Sequence, residues 1–399
     1  MYTQDSTGES MNLVSDRETT PLRIGMIAGE MSGDSLGAGL IRELRRKYPQ
    51  LIIEGIGGPQ MIAEGMQSIA NMDELAMMGY VEPLLNLPRL LSLRRRLWQH
   101  FVDNPPALFL GIDYAYFNNS LEQRLKQQGI LTAHYVSPQL WASRPQRIHK
   151  LAQTVDLMLC LFPFEVDIYQ QHNIRAAFVG HPLADKFSLQ PDTLAARGEL
   201  NLPLNKKIVA LLPGSRANEV KHLLPEFIGA ARLCLAQEKD LSFVLPAANE
   251  KRRQQIASQL PGDLPIKLVL GQSHRAMAAA DVVLLASGTT TLEAMLLKKP
   301  MVVSYKLSSL NYAIMSRMLT SEHIALPNIL ANARLVPEIV QTQVSAQVLA
   351  DAVMDYFLHP EKVTALVKQF TEMHQSLQQG GDKLAASALL ELIAEHEKH

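Results

Sequence analysis

Two doubly wound α/β domains facing each other across a cleft is the architecture this sequence predicts, and three observations carry it. Short apolar runs alternate with longer amphipathic segments. The runs are hydrophobic throughout, as strands of a parallel sheet covered on both faces are. The alternation also occurs twice, interrupted by a proline-rich polar stretch from Pro182 to Asn205.

The first series reads as buried strands at Leu22–Ala28, Leu51–Ile56, Ala107–Ile112, Leu131–Val136, Leu157–Phe162 and Ala176–Val179. The second reads the same way at Ile208–Leu212, Leu241–Leu245, Ile266–Leu270, Val282–Leu285 and Met301–Tyr305, with a hinge near Phe187–Leu200. From Glu361 the spacing is helical. Gly381-Asp382 opens a final helix bearing Leu384, Ala388, Leu389, Leu392 and Ile393, whose apolar face requires either the first domain or a partner subunit. The expected division is a loose polar tail over 1–21, a first domain over 22–188, a second over 189–360 and C-terminal helices over 361–399. A homodimer stays open.

With 47% hydrophobic and 19% charged residues, the chain is neither disordered nor collagen-like. A single core stops growing at roughly 250–300 residues, so 399 residues imply more than one domain. Lys and Arg total 38 against 39 Asp and Glu, a net charge of -1 that gives no long-range attraction for a nucleic acid backbone. Cys160 and Cys234 lie in apolar runs spaced for neither a zinc site nor a disulfide framework, which fits a reducing cytosol. Residues Met1 to Thr20 lack the basic and apolar regions of a signal peptide. No apolar run approaches the roughly 20 residues of a membrane span, so none is expected.

Five loops carry chemistry. After the first strand, Gly29-Glu30-Met31-Ser32-Gly33-Asp34 opens a helix. Its glycines either let backbone N–H groups approach an anion or sugar hydroxyl, or allow tight strand-to-helix packing. The spacing fits neither the dinucleotide fingerprint nor the P-loop, which disfavours an NAD-dependent oxidoreductase. The third strand ends in Gly111-Ile112-Asp113, placing a carboxylate where doubly wound sheets bind ligands; Asp113 is either a general base or a helix cap. Next, the loop from His134 through Ser137 and Trp141 to Arg144 gathers aromatic and hydrogen-bonding side chains suited to a sugar or acyl ligand.

In the second series, Gly214-Ser215-Arg216 and Ser287-Gly288-Thr289-Thr290 follow strands, the latter opening a helix. The pair makes a diphosphate cradle, with Arg216 on phosphate oxygens and Glu293 near ribose hydroxyls, or else Glu293 belongs to an ordinary capping box. None of the 12 histidines lies in an H-E-x-x-H pattern and no Asp-x-Asp pair exists, so neither metal nor cofactor is expected. The stretch Met77–Trp98 mixes leucines with Arg94, Arg95 and Arg96. It suits a membrane interface or, equally, a buried helix with a solvated basic end.

Taken in order, G-E-x-S-G-D, G-I-D, H-Y-V-S-P-x-x-W-A-x-R, Leu161-Phe162-Pro163-Phe164-Glu165, Gly180-His181-Pro182, L-L-P-G-S-R, S-G-T-x-T-L-E and Leu326-Pro327-Asn328 resemble the lipid-A-disaccharide synthase family over about residues 22–390. The resemblance implies a peripheral glycosyltransferase of GT-B architecture on the cytosolic face of the inner membrane. It implies transfer from UDP-2,3-diacylglucosamine to 2,3-diacylglucosamine 1-phosphate (lipid X), giving the β-1,6-linked disaccharide and UDP. On that reading Asp113 takes the 6-hydroxyl proton of the acceptor, with Glu30, Ser32, Gly33, Asp34, His134, Ser137, Trp141 and Arg144 on the acceptor side. Gly214, Ser215, Arg216, Ser287, Gly288, Thr289, Thr290, Glu293 and Asn328 hold the donor. The sequence departs from the family where Tyr114-Ala115-Tyr116 replaces A-P-D and Ser143 replaces a tryptophan, removing a second carboxylate beside Asp113. Another soluble UDP-sugar enzyme, or a non-catalytic binding module, is the alternative.

Overall fold

Each apolar run forms a strand, and two edge strands join them. The computed structural model describes residues 21–75, 82–138, 145–307 and 322–398, side chains of 82–87 and 145 excepted. In the first half lie β1 (Arg23–Ala28), β2 (Ile52–Ile56), β3 (Gln67–Ser68), β4 (Leu108–Ile112), β5 (Thr132–Tyr135), β6 (Leu157–Cys160) and β7 (Ala176–Phe178). They form a seven-stranded sheet in the order β3-β2-β1-β4-β5-β6-β7, every pair parallel. The second half contains β8 (Lys207–Leu212), β9 (Leu241–Ala247), β10 (Ile266–Leu270), β11 (Val282–Ala286), β12 (Met301–Tyr305) and β13 (Glu338–Val340). Their order is β10-β9-β8-β11-β12-β13, again all parallel. The strand order reverses between β1 and β4 and between β8 and β11. A crevice at the carboxyl ends of the strands follows from each reversal.

The two strands that hydrophobicity did not mark are β3 and β13, and both are edges. Gln67 and Ser68 of β3 are exposed, so neither had an apolar side chain to reveal it. The run Ile266–Leu270 was expected to be buried, but β10 is also an edge and Leu270 is 48% exposed. The linker is more ordered than its composition suggested. Thr193–Glu199 is a helix fixed to the second sheet by Arg197, which donates to the Ala279 carbonyl at 2.9 Å and pairs with Asp281 at 2.7 Å.

The C-terminal helices Pro360–Leu377 and Gly381–His396 return to the first half of the same chain. Asp185 accepts from the N–H groups of Gly380 and Gly381 at 3.0 and 2.9 Å, and Lys47 donates to the Ser387 hydroxyl at 3.1 Å. Ala385, Leu389, Leu392 and Ile393 are buried beneath this contact, whereas Leu384, expected on the apolar face, points outward and is 39% exposed. The unpartnered face thus finds its partner within the chain. No helix among the described residues is long and apolar enough to cross a membrane.

Candidate active site

The carboxyl end of β11 turns sharply into the helix Thr290–Leu296. Ser287 fixes that turn: its N–H donates to Ser304 O at 2.9 Å and its hydroxyl to Ile324 O at 2.8 Å. Thr289 is the N-cap residue and no side chain caps the helix; the Thr291 and Leu292 N–H groups already donate to Gly288 O and Thr289 O at 3.0 Å each, which leaves the N–H groups of Thr289 and Thr290 without a partner among the described residues. The capping-box alternative for Glu293 is not what forms. Its carboxylate pairs instead with His274 Nε2 at 3.1 Å, and that hydrogen bond raises the His274 pKa despite partial burial.

Opposite this turn, the loop after β8 is held by a residue that the sequence reading passed over. Glu219 Oε2 accepts from the N–H groups of Ser215 and Arg216 at 3.0 and 3.1 Å. Gly214 adopts φ +113, and a Cβ there would lie 2.4 Å from Glu219, so glycine is required. A carboxylate three residues beyond Arg216, just after a strand-ending turn, was the available signal. The Arg216 guanidinium is 83% exposed and touches Glu219 Oε1 loosely, at 3.4 Å. Between the two loops lies a cavity of about 500 Å³, also bounded by Pro246, Ala247 and Gly271 from the ends of β9 and β10.

A second cavity, of about 600 Å³, lies between the halves. The first half contributes Glu30, Ser32, Asp113 and Ser137, and the second contributes Thr289 and Glu293. Thr289 lines both cavities, so the cradle opens into the cleft. Asp113 and Tyr114 have φ +52 and +47, a conformation that Asp tolerates and a bulky tyrosine resists. Local contacts impose it. The Asp113 N–H donates to Tyr135 O at 2.8 Å, Asp113 O accepts from Asn118 Nδ2 at 2.9 Å, and the Tyr114 hydroxyl donates to Leu75 O at 2.8 Å. The Tyr114 ring covers Gly29 so closely that a Cβ there would meet it at 2.6 Å. Asp113 is not the helix cap: Tyr114 holds that position, and Asp113 Oδ1 accepts only its neighbour's N–H, at 2.8 Å, among the described residues.

Four residues expected at the ligand serve the scaffold instead. Asp34 is wholly buried and accepts from Gly58, Gln60 and Met61 N–H groups at 2.9, 3.0 and 3.0 Å, which satisfies the start of the helix Pro59–Ala63. Gly33 is buried against Ala28 and Ile112, in the packing role rather than the ligand role. His134 is buried in a pair with Glu122 at 2.6 Å, and Asn328 binds the main chain of Leu335 and Val336 with both ends of its amide. Trp141 and Arg144 lie outside the described residues, as does part of Met77–Trp98. Among the described residues no group of three His, Cys, Asp or Glu is placed to hold a metal ion. Asp34→Ala strands three N–H groups, two of them buried, and should cost about 2–4 kcal/mol, read as a lower urea midpoint with the slope unchanged. An unchanged midpoint would return Asp34 to the ligand side.

Comparison with known proteins bears on this geometry. The profile of a family described as lipid-A-disaccharide synthetase matches residues 24–392. A lipid-A-disaccharide synthase of Hahella chejuensis is 47% identical over 386 residues, covering 96% of each chain. One of Cellvibrio japonicus is 49% identical over 374 residues, covering 93% of this chain and 97% of its own. Among solved structures, the UDP-GlcNAc 2-epimerase of Neisseria meningitidis bound to UDP-GlcNAc superposes with a TM-score of 0.62 at 13% identity, covering 93% of this chain and all of the other, a likeness of fold alone.

Proposed function

The chain belongs to the lipid-A-disaccharide synthase family of glycosyltransferases in lipid A biosynthesis, and from that premise we propose how its two cavities divide the reaction. The cavity at the ends of β8 and β11 takes the UDP part of UDP-2,3-diacylglucosamine, and the cleft takes the sugar of lipid X. The observation that carries this division is Thr289, which lines both spaces and so sets the diphosphate beside the cleft that contains Asp113.

The acceptor's 6-hydroxyl oxygen attacks the anomeric carbon while the bond from that carbon to the UDP oxygen breaks. Its proton passes to the Asp113 carboxylate. The electron pair departs with UDP, whose developing charge is met by Arg216, the N–H groups that open the helix Thr290–Leu296, and that helix's dipole. An α-linked donor then gives a β-linked product, with inversion. Glu293, held by His274, lines the cleft rather than the donor cavity and reaches the ribose only where the two spaces meet at Thr289; Asn328 supports this side through the segment it ties down rather than by contact. Of the basic stretch, Leu91, Arg95 and Arg96 are exposed, which suits contact with an anionic membrane surface.

The test is formation of the disaccharide 1-phosphate from UDP-2,3-diacylglucosamine and lipid X in mixed micelles, with and without EDTA. Product should form in both, and UDP-N-acetylglucosamine should give none. Turnover of the non-acylated sugar nucleotide alone would favour a soluble UDP-sugar enzyme. UDP binding without any product would mean a binding module.

A further inference from the structure

Gly180-His181-Pro182 is one of the ordered sequence marks, yet the reaction described above assigns it nothing. His181 is only 8% exposed and lines the cleft cavity that contains Asp113 and Thr289. Three contacts fix it. Its main-chain N–H donates to Leu377 O at 2.9 Å, its ring lies against Phe162 with centroids 5.4 Å apart, and its Nδ1 accepts from the Leu183 N–H at 3.2 Å. An accepting Nδ1 carries no proton, so the neutral ring's proton is on Nε2. Nε2 has no partner among the described residues and is not completely buried, on a residue that lines the cavity.

Burial pushes the His181 pKa down to about 4, against a smaller opposing pull from Asp185. The ring is therefore a donor without charge. Around the same cavity stand the carboxylates Glu30, Asp113, Glu165 and Glu293, with Lys186 as the cation among the described residues. A phosphate bound at this ring would demand the imidazolium that burial opposes, whereas an uncharged oxygen needs only the N–H. Resting on the function proposed above, we infer that His181 is a substrate-binding residue: its Nε2–H donates a hydrogen bond to an uncharged oxygen, a hydroxyl or acyl carbonyl, of a diacylated sugar in the cleft. Held on three sides, this donor needs no reorganisation when substrate arrives.

Two variants separate a substrate contact from a structural cap. His181→Asn keeps an oxygen to accept from Leu183 N–H at the N-cap of the helix Pro182–Lys186 but removes Nε2–H. His181→Gln places an amide N–H where Nε2 was and lacks the capping acceptor. His181→Asn should lower kcat/KM for the diacylated pair about 10–100-fold, with UDP affinity and urea midpoint unchanged. His181→Gln should recover much of that loss. Wild-type kcat/KM in His181→Asn, or a greater loss in His181→Gln, would overturn the assignment. Independently, the His181 Nε2 resonance should move when UDP-2,3-diacylglucosamine is added and stay in place with UDP alone. A resonance that ignores the acylated donor and lipid X also overturns it, and can be read even if the wild type makes no disaccharide, a failure that would count against the proposed function instead.

Discussion

Asp113→Asn should lower kcat about 10³-fold while leaving UDP affinity within about twofold of the wild type. The substitution is close to isosteric, and its amide oxygen still accepts the Tyr114 N–H that Asp113 Oδ1 now takes at 2.8 Å. The left-handed backbone at Asp113 is held through its own main chain, whose N–H donates to Tyr135 O and whose carbonyl accepts from the Asn118 side-chain amide, contacts the variant retains. What it loses is the capacity to take a proton. With UDP proposed for the other cavity, calorimetric titration with UDP reports the donor site separately from disaccharide formation. Glu30 lines the same cleft and is the competing base. Glu30→Gln should cost far less than Asp113→Asn; the reverse order would move the base to Glu30, and equal activity of Asp113→Asn and wild type would remove Asp113 from proton transfer.

The fold was legible because its signal is strong and repeated: buried parallel strands are apolar along most of their length, as β4 and β6 are throughout, while β5 is equally buried but carries Thr132 and His134. The edges β3 and β13 escaped because an edge needs no such composition, as the exposed Gln67-Ser68 of β3 illustrates. At the site, position at the end of a strand pointed to Asp113, Arg216 and Thr289, which line the two cavities. It did not distinguish facing the ligand from facing the core. Asp34, His134 and Asn328 stand in the same ordered motifs as Asp113, yet each is buried and bonded inward. Only the third dimension separates them, since a buried carboxylate that accepts three N–H bonds and a catalytic one have the same letter. Glu219 was missed for the converse reason. Its work is to hold two backbone N–H groups of the Gly214 loop, a local contact that a search for ligand-binding residues passes over.

That contact bears on Arg216, where alanine should lower kcat/KM about 10²–10³-fold and UDP affinity about tenfold. Glu219 already holds the loop's N–H groups of Ser215 and Arg216, so these are not what meets the diphosphate. The guanidinium is available: it is 83% exposed, and its pairing with Glu219 at 3.4 Å is a solvent-screened contact of little strength. As UDP departs, charge grows on its oxygens, and a planar fork with two parallel donors gains more from that growth than from the bound donor sugar. Arg216→Lys tests the geometry apart from the charge. An ammonium should restore much of the UDP affinity and little of kcat, because it meets one oxygen at a time. Glu219→Gln checks the loop, since its neutral oxygen still accepts from the same N–H groups; a mild effect there with a severe one in Arg216→Ala assigns the loss to the guanidinium itself. Should Arg216→Ala raise KM and leave kcat unchanged, Arg216 binds the ground state and the transition state equally, and stabilisation of the leaving UDP falls to the helix start at Thr290.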